Sequence, residues 1–241
     1  MCLTKDGGTW IKTTLPQSSE SRVQHTAKLK VTDSGTLEGK VTVTYTGLQA
    51  MYHRLEVLHS DDVARKKFLE DLVKGEVAES AETKLTNKPD WTNSETPLTA
   101  EFDLSVPDWT SRAGKRTVMP ASLFAAVEKH VFERTERVHP IYFAFPYEKD
   151  DDVTIGLPPG WQLASVPPPA VRNGSNAAYS LKVENNQATL RLNRKLSVDV
   201  FLMDKQYYPA LRDFFQAVRA GDDQQIVLQP PAVAVRNSGW W

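Results

Sequence analysis

Cysteine is almost missing from this 241-residue chain. The single one, Cys2, excludes an intrachain disulfide and any cysteine-rich metal centre. With no histidine beside it and no helix to activate it, Cys2 reads as a frayed terminal thiol rather than a nucleophile. Long apolar runs are missing too, and none approaches the roughly 18 residues of a membrane-spanning helix. The opening MCLTKDGGTWIK lacks the apolar stretch that a signal peptide or a lipid-modified cysteine needs. Neither sign of charge dominates: 29 Lys and Arg stand against 30 Asp and Glu, which leaves no electrostatic footprint for nucleic acid or an anionic membrane. Glycine-rich phosphate loops and the nucleophile-elbow motif are absent. His25, His53, His59, His130 and His139 have no H-x-x-x-H or H-E-x-x-H spacing, so no zinc and no cofactor is expected.

What is present is β-pattern. Hydrophobic residues make up 40% of the chain, enough for a core. Leu29 and Val31 alternate with Lys28, Lys30 and Thr32, and Val41, Val43 and Tyr45 alternate with Thr42 and Thr44. Period-two alternation of β-branched and aromatic residues with polar ones predicts strands with one buried face. Asp33-Ser34-Gly35 between them supplies turn chemistry, so Lys28–Leu55 reads as a hairpin followed, after Gly47, by a second extended segment. Gly39 marks either a bulge or the start of the return strand. Leu98–Val106 alternates cleanly and is ended by Pro107. Ala178–Leu192 reads as a second hairpin across Glu184–Gln187, with Leu196–Leu202 as a further strand and Gln225–Leu228 as a terminal one.

Three helices are predicted. Ser60–Lys74 has Ser60 as N-cap, Asp61 and Asp62 at its positive end, an apolar stripe of Ala64, Phe68 and Leu72 beside Leu69 and Val73, and Gly75 as stop. Pro120–Glu133 opens on a proline and carries Leu123, Phe124, Val127 and Val131. Tyr208–Ala220 has Pro209 near its start, Leu211, Phe214, Phe215 and Val218 on one face, and Gly221 at its end. Asn87–Pro97 is loop chemistry around Trp91.

Several of these stretches also resemble the C-terminal β-rich domain, of unknown function, of bacterial transglutaminase-like proteins. The positions that match are Gly39, Val41, Tyr45, Gly47, Ala50 and Arg54, then Arg137, Pro140 and Pro146, then the segment Asp152–Trp161 with Val166-Pro167, and finally YYPALRDFFQAVRAGDDQQIVL. The resemblance spans about residues 20 to 229 and consists mostly of structural positions. It implies a domain that follows a papain-like core. The catalytic Cys, His and Asp of that core would lie upstream of this chain, so no catalytic residue is carried over and the chain is not expected to be an enzyme. The resemblance further implies an extracytoplasmic parent, periplasmic or secreted, and that parent's core as the partner. The opening is read as a fragment start, cut from a longer chain before Leu3.

Two clusters remain to be weighed. Glu148–Asp152, EKDDD, could offer hard oxygens to calcium, but it lacks the spacing and the glycine of a calcium loop and is expected to be a solvated turn before a strand Val153–Leu157. Trp91, Trp109, Trp161 and Tyr147 either form an aromatic platform for a sugar or an extended peptide, or fill the ends of a sandwich. The expected fold is a mainly β, sandwich-like antiparallel domain over residues 25–228 with about three peripheral helices. A lead-in covers residues 1–24, a tail 229–241, and a subdomain break is possible near 107–120. The expected function is a non-catalytic accessory domain; the alternative is an independent carbohydrate- or peptide-binding module.

Overall fold

The alternating segments pair as their pattern demands. The structure, a computed structural model, describes residues 2–3, 10–11, 14, 16–126, 131–186 and 188–231. In chain order its elements are β1 (Cys2–Leu3), β2 (Trp10–Ile11), β3 (Arg22–Val31), β4 (Leu37–Tyr45), α1 (Gly47–Glu56), α2 (Asp62–Val77), β5 (Glu82–Leu85), β6 (Leu98–Val106), β7 (Ser111–Ala113), β8 (Arg116–Pro120), β9 (Ile141–Tyr142), β10 (Tyr147–Gly156), β11 (Gln162–Ser165), β12 (Ala170–Asn173), β13 (Ala177–Asn186), β14 (Thr189–Val198), β15 (Leu202–Met203), α3 (Tyr208–Asp222) and β16 (Gln225–Gln229). An eight-stranded sheet runs β12-β13-β14-β10-β3-β4-β6-β5, and a four-stranded sheet runs β11-β16-β8-β7. Every neighbouring pair in both sheets is antiparallel except β10 with β3.

One face of the large sheet is buried. Val23, Ala27, Leu29 and Val31 of β3 join Val41, Val43 and Tyr45 of β4 and Leu98 to Val106 of β6 in a single apolar cluster. The intervening Gln24, Thr26, Lys28 and Lys30 are exposed. The small sheet contributes Met119, Ile226 and Leu228 to the same cluster, α2 contributes Leu69, Val73 and Val77, and α3 contributes Leu211, Phe214, Phe215 and Val218. The fold is β-rich, as expected from the pattern, and has three helices among the described residues, two of them where the pattern placed a helix.

The first hairpin is closed by the expected turn. Thr32 and Thr36 pair through their backbones at 2.8 Å, and Gly35 takes φ +88°. A Cβ on Gly35 would lie 2.5 Å from Thr110 Oγ1. Gly35→Val combines a left-handed backbone with that overlap, and should destabilise the chain by at least about 1–2 kcal/mol. An unchanged denaturant midpoint would place the strain elsewhere. Gly39 sits opposite Leu29 in unbroken register, without a bulge.

Several expectations need correction. Residues 47–56 form a helix, not an extended segment, because Ala50, His53 and Arg54 of α1 and Val57 beyond its end fall on one helical face and are buried. α2 starts one residue later than predicted: Asp61, not Ser60, is the cap, accepting from the Ala64 amide at 2.8 Å. α2 also runs through Gly75 to Val77, since Leu69, Val73 and Val77 continue the buried stripe that the glycine cannot interrupt. Ala64 is exposed. After β8, residues 121–126 form no helix and are bent, and Ala121 to Ala125 are buried as irregular chain. Val127 lies outside the described residues. The second hairpin keeps its strands paired further than expected, to Asn186 opposite Thr189, with Val183 opposite Leu192; Gln187 lies outside the described residues. Leu196 is not the start of a new strand but continues β14 to Val198. The expected tail beyond Pro231, with Trp240 and Trp241, also lies outside the described residues.

Candidate functional site

On a strand with one buried face, a charged residue at an inward position must bring its own partners. Three inward positions that align across adjacent strands are polar. His25 of β3 aligns with Asp151 of β10, and Asp151 aligns with Arg194 of β14. They form one row across the centre of the inner face, with apolar neighbours Ala27, Val153 and Leu192 in the next row.

The row is extended by two helices. His25 Nδ1 lies 2.8 Å from Asp151 Oδ1, and Nε2 lies 3.0 Å from Glu76 Oε2 near the end of α2. Lys149 Nζ donates to the other Glu76 oxygen at 3.1 Å. Arg194 Nε and Nη2 each donate to a carboxylate oxygen of Asp222, at the last turn of α3, at 2.8 Å, and its Nη1 lies 3.7 Å from Asp151 Oδ2. Tyr179 donates its hydroxyl to Asp222 Oδ1 at 2.8 Å, and Ser122 Oγ donates to the Asp222 backbone carbonyl at 3.2 Å. The Phe124 ring stacks on His25 at 4.1 Å and 9°. Gly221 does not end α3, which runs on to Asp222. A Cβ on Gly221 would lie 2.5 Å from the Tyr179 oxygen, so glycine lets the helix end settle on Tyr179 and brings Asp222 within reach of Arg194.

Burial alone would lower the His25 pKa, but the Glu76 and Asp151 carboxylates outweigh it and raise it to about 9. Burial would raise Glu76, yet Lys149 and His25 hold its carboxyl well below the usual range. The Tyr179 hydroxyl is pushed up by burial and by Asp222. In α1, His53 packs edge-on against Tyr45 and Phe68, and burial lowers its pKa to about 4. Arg54, one of the positions carrying the resemblance, donates to the Asp90 and Thr96 carbonyls at 3.1 and 3.0 Å. It clamps the Trp91 loop to α1.

A His–Asp pair can serve proton transfer only if the other ring nitrogen meets a substrate. Here that nitrogen is held by Glu76 and the ring is 0% exposed, so the geometry serves cohesion rather than proton transfer.

The acidic cluster is not a solvated turn. Glu148–Asp152 lies inside β10, and period two divides it. Lys149 and Asp151 point into the core. On the opposite face Glu148 pairs with Arg22 at 2.8 Å and Lys195 at 3.1 Å, and Asp152 takes both Arg191 donors at 2.8 and 2.9 Å. Basic residues placed in register by β3 and β14 override the poor strand propensity of aspartate.

The aromatic residues singled out from the sequence lie apart. Trp91, Trp109, Trp161 and Tyr147 are each half-buried and pack against the core cluster. Trp91 receives the Arg65 guanidinium over its ring at 5.8 Å. Trp109 lines a cleft of about 300 Å³ with Pro107, Met119 and Gln225, and its Nε1 is buried without a hydrogen-bond partner. Trp161 follows the tight turn at Gly160, its amide bonded to the Pro158 carbonyl at 3.1 Å.

An apolar opening lies elsewhere. A groove of about 570 Å³ runs between the first turns of α3, the β12–β13 turn and residues 199–204, with Phe201, Leu202, Met203, Tyr207, Leu211 and Phe214 in its walls. Leu202 is 65% and Tyr207 56% exposed, and Tyr142, 63% exposed, packs edge-on against Phe201 at 5.0 Å.

The sequence reading missed both the ion chain and the groove. The chain had a signal. His25 shares its parity with Val23, Ala27 and Leu29, Asp151 with Val153 and Ile155, and Arg194 with Leu190, Leu192 and Leu196; Asp222 follows Phe215 and Val218 on the buried face of α3. A charged residue at a core position is the mark of a buried pair. The groove had none, because its walls come from three separate segments.

Against known proteins, no curated protein matches this chain. Among solved structures, the crystal structure of a candidate protease from Parabacteroides distasonis ATCC 8503 aligns with a TM-score of 0.37 and 10% sequence identity, over 42% of this chain and 20% of that protein. The chain thus spans a fifth of that protein's length. Residues 115–228 match DUF3858, described as a "Domain of Unknown Function with solved-structure structure", and what this chain is similar to from β8 to β16 is therefore a domain family whose description assigns no activity.

Proposed function

We propose that this chain is a non-catalytic accessory domain that packs against another folded unit: the papain-like core of a bacterial transglutaminase-like parent, the family that its sequence pattern resembles. The groove carries the reading. Phe201, Leu202 and Tyr207 present apolar side chains to solvent around a concave opening, with exposed Tyr142 packed against Phe201, and side chains of that kind form the desolvated centres of protein interfaces. The ionisable residues at the centre of the inner face are committed to one another. By the same resemblance the parent works outside the cytoplasm. No helix among the described residues is long and apolar enough to cross a membrane.

Titration calorimetry of this chain with the upstream core of its parent tests the reading. Binding with a negative heat-capacity change, abolished by Leu202→Arg, is the expected result. Absence of heat would overturn it. A second reading, a free-standing peptide- or glycan-binding module, draws support from Trp109, whose buried Nε1 lacks a partner beside a cleft. In that case a peptide or glycan would quench or shift Trp109 fluorescence, and Trp109→Phe would abolish the response.

A further inference from the structure

We propose that His25 is held as an imidazolium, forming a latch that fastens α2 and the Phe124 segment to the inner face of the sheet and lets go when the ring loses its proton. Both ring nitrogens face carboxylate oxygens, at 2.8 and 3.0 Å. A neutral imidazole has one N–H, so its other nitrogen would turn a lone pair toward a carboxylate; only the cation donates to both. Each carboxylate also faces a second cation. Glu76 accepts from Lys149 through its other oxygen at 3.1 Å, and the other oxygen of Asp151 lies 3.7 Å from the Arg194 guanidinium. The face-on Phe124 ring at 4.1 Å suits a flat cation.

Charge balance agrees. Among the described residues, the groups facing this centre are Glu76 from α2, Lys149 and Asp151 from β10, Arg194 from β14, Tyr179 from β13, Asp222 from α3, Tyr45 from β4 and His53 from α1. Burial keeps the Tyr45 hydroxyl protonated and His53 neutral. With His25 charged, three cations (His25, Lys149, Arg194) meet three carboxylates (Glu76, Asp151, Asp222). Removing the proton leaves the core one negative charge in excess.

The sign of the pH dependence follows. The folded pKa, about 9, lies above the ordinary 6.5. The His25 contribution is therefore complete below pH 6.5 and is lost as pH rises through 9. Glu76, held below its ordinary 4.5, contributes above that value and loses its share as pH falls. The latch is strongest between those two ordinary values. It also crosses the boundary of the family match: His25 and Glu76 precede residue 115, whereas Phe124, Asp151 and Arg194 lie within 115–228.

The test is a histidine ¹⁵N titration of the full chain by long-range proton–nitrogen correlation. Near neutral pH, the His25 ring should show two protonated nitrogens and should titrate near 9, above the ordinary 6.5. A pyridine-like nitrogen at neutral pH, or titration at or below 6.5, overturns the proposal. In His25→Gln the fall of the thermal midpoint between pH 6.5 and 9 should flatten relative to the unsubstituted chain; equal slopes would also overturn it. If His25→Gln does not fold, the titration of the unsubstituted chain decides alone.

Discussion

Arg194→Met should cost about 3–5 kcal/mol of folding free energy, the range for removing one partner of a buried pair. Arg194 is 2% exposed and Asp222 1%. The guanidinium satisfies both Asp222 oxygens at 2.8 Å and lies 3.7 Å from Asp151. Methionine matches the length of the stem but takes two donors from the Asp222 carboxylate and the positive charge from beside Asp151. Against a typical total of about 5–15 kcal/mol, that loss is severe. Urea denaturation at low temperature measures it. A companion variant separates charge from packing: Arg194→Met with Asp222→Leu removes both charges and should recover part of the loss, although the Tyr179 hydroxyl then lacks its acceptor. A single-variant cost below about 1 kcal/mol would mean that water reaches the pair and that the row is not sealed.

Phe215→Ala should cost a similar amount, about 3–5 kcal/mol, for a different reason. The ring is 2% exposed and sits edge-on to Phe214 at 5.4 Å and tilted against Phe132 at 4.9 Å. Truncation removes most of its transfer energy and leaves a hole that helix and sheet cannot both close. The denaturant midpoint should fall with an unchanged slope. A cost under about 0.5 kcal/mol would show that α3 does not bury this face. The two variants also differ in salt response. The Phe215→Ala deficit should not vary with ionic strength, while residual exposure of the Arg194 site would show as screening.

The two variants mark the line between what was readable and what was not. Local pattern specified strands at Lys28–Thr32, Val41–Tyr45 and Leu98–Val106, because each alternates and has a turn, a glycine or a proline at its end; the structure extends the first back to Arg22, inside the expected lead-in, and the second back to Leu37. The apolar face of α3 was equally plain, since Leu211, Phe214, Phe215 and Val218 recur at helical spacing and Pro209 opens the first turn. Phe215→Ala could therefore be predicted without any coordinates.

Where two periods competed, pattern was not enough. Gly47–Glu56 carries a helical stripe of only three buried residues inside a β-rich stretch, and it becomes a helix because Ala50 joins the core, His53 packs on Tyr45 and Phe68, and Arg54 bonds to the loop at Asp90 and Thr96. Charged residues depend still more on their surroundings. EKDDD has the composition of a solvated turn. Its place in a central strand follows from Arg22, Arg191, Arg194 and Lys195 arriving in register from strands distant in the chain.

By itself, then, the sequence determined the strand faces, the principal turns and the amphipathic last helix, since each depends on the spacing of neighbours along the chain. Only the tertiary structure decided that His25, Glu76, Asp151, Arg194 and Asp222 form one chain, and that residues 199–214 and the β12–β13 turn enclose a groove. The cost of burying a charge is set by the partners that meet it, and those partners come from five separate elements.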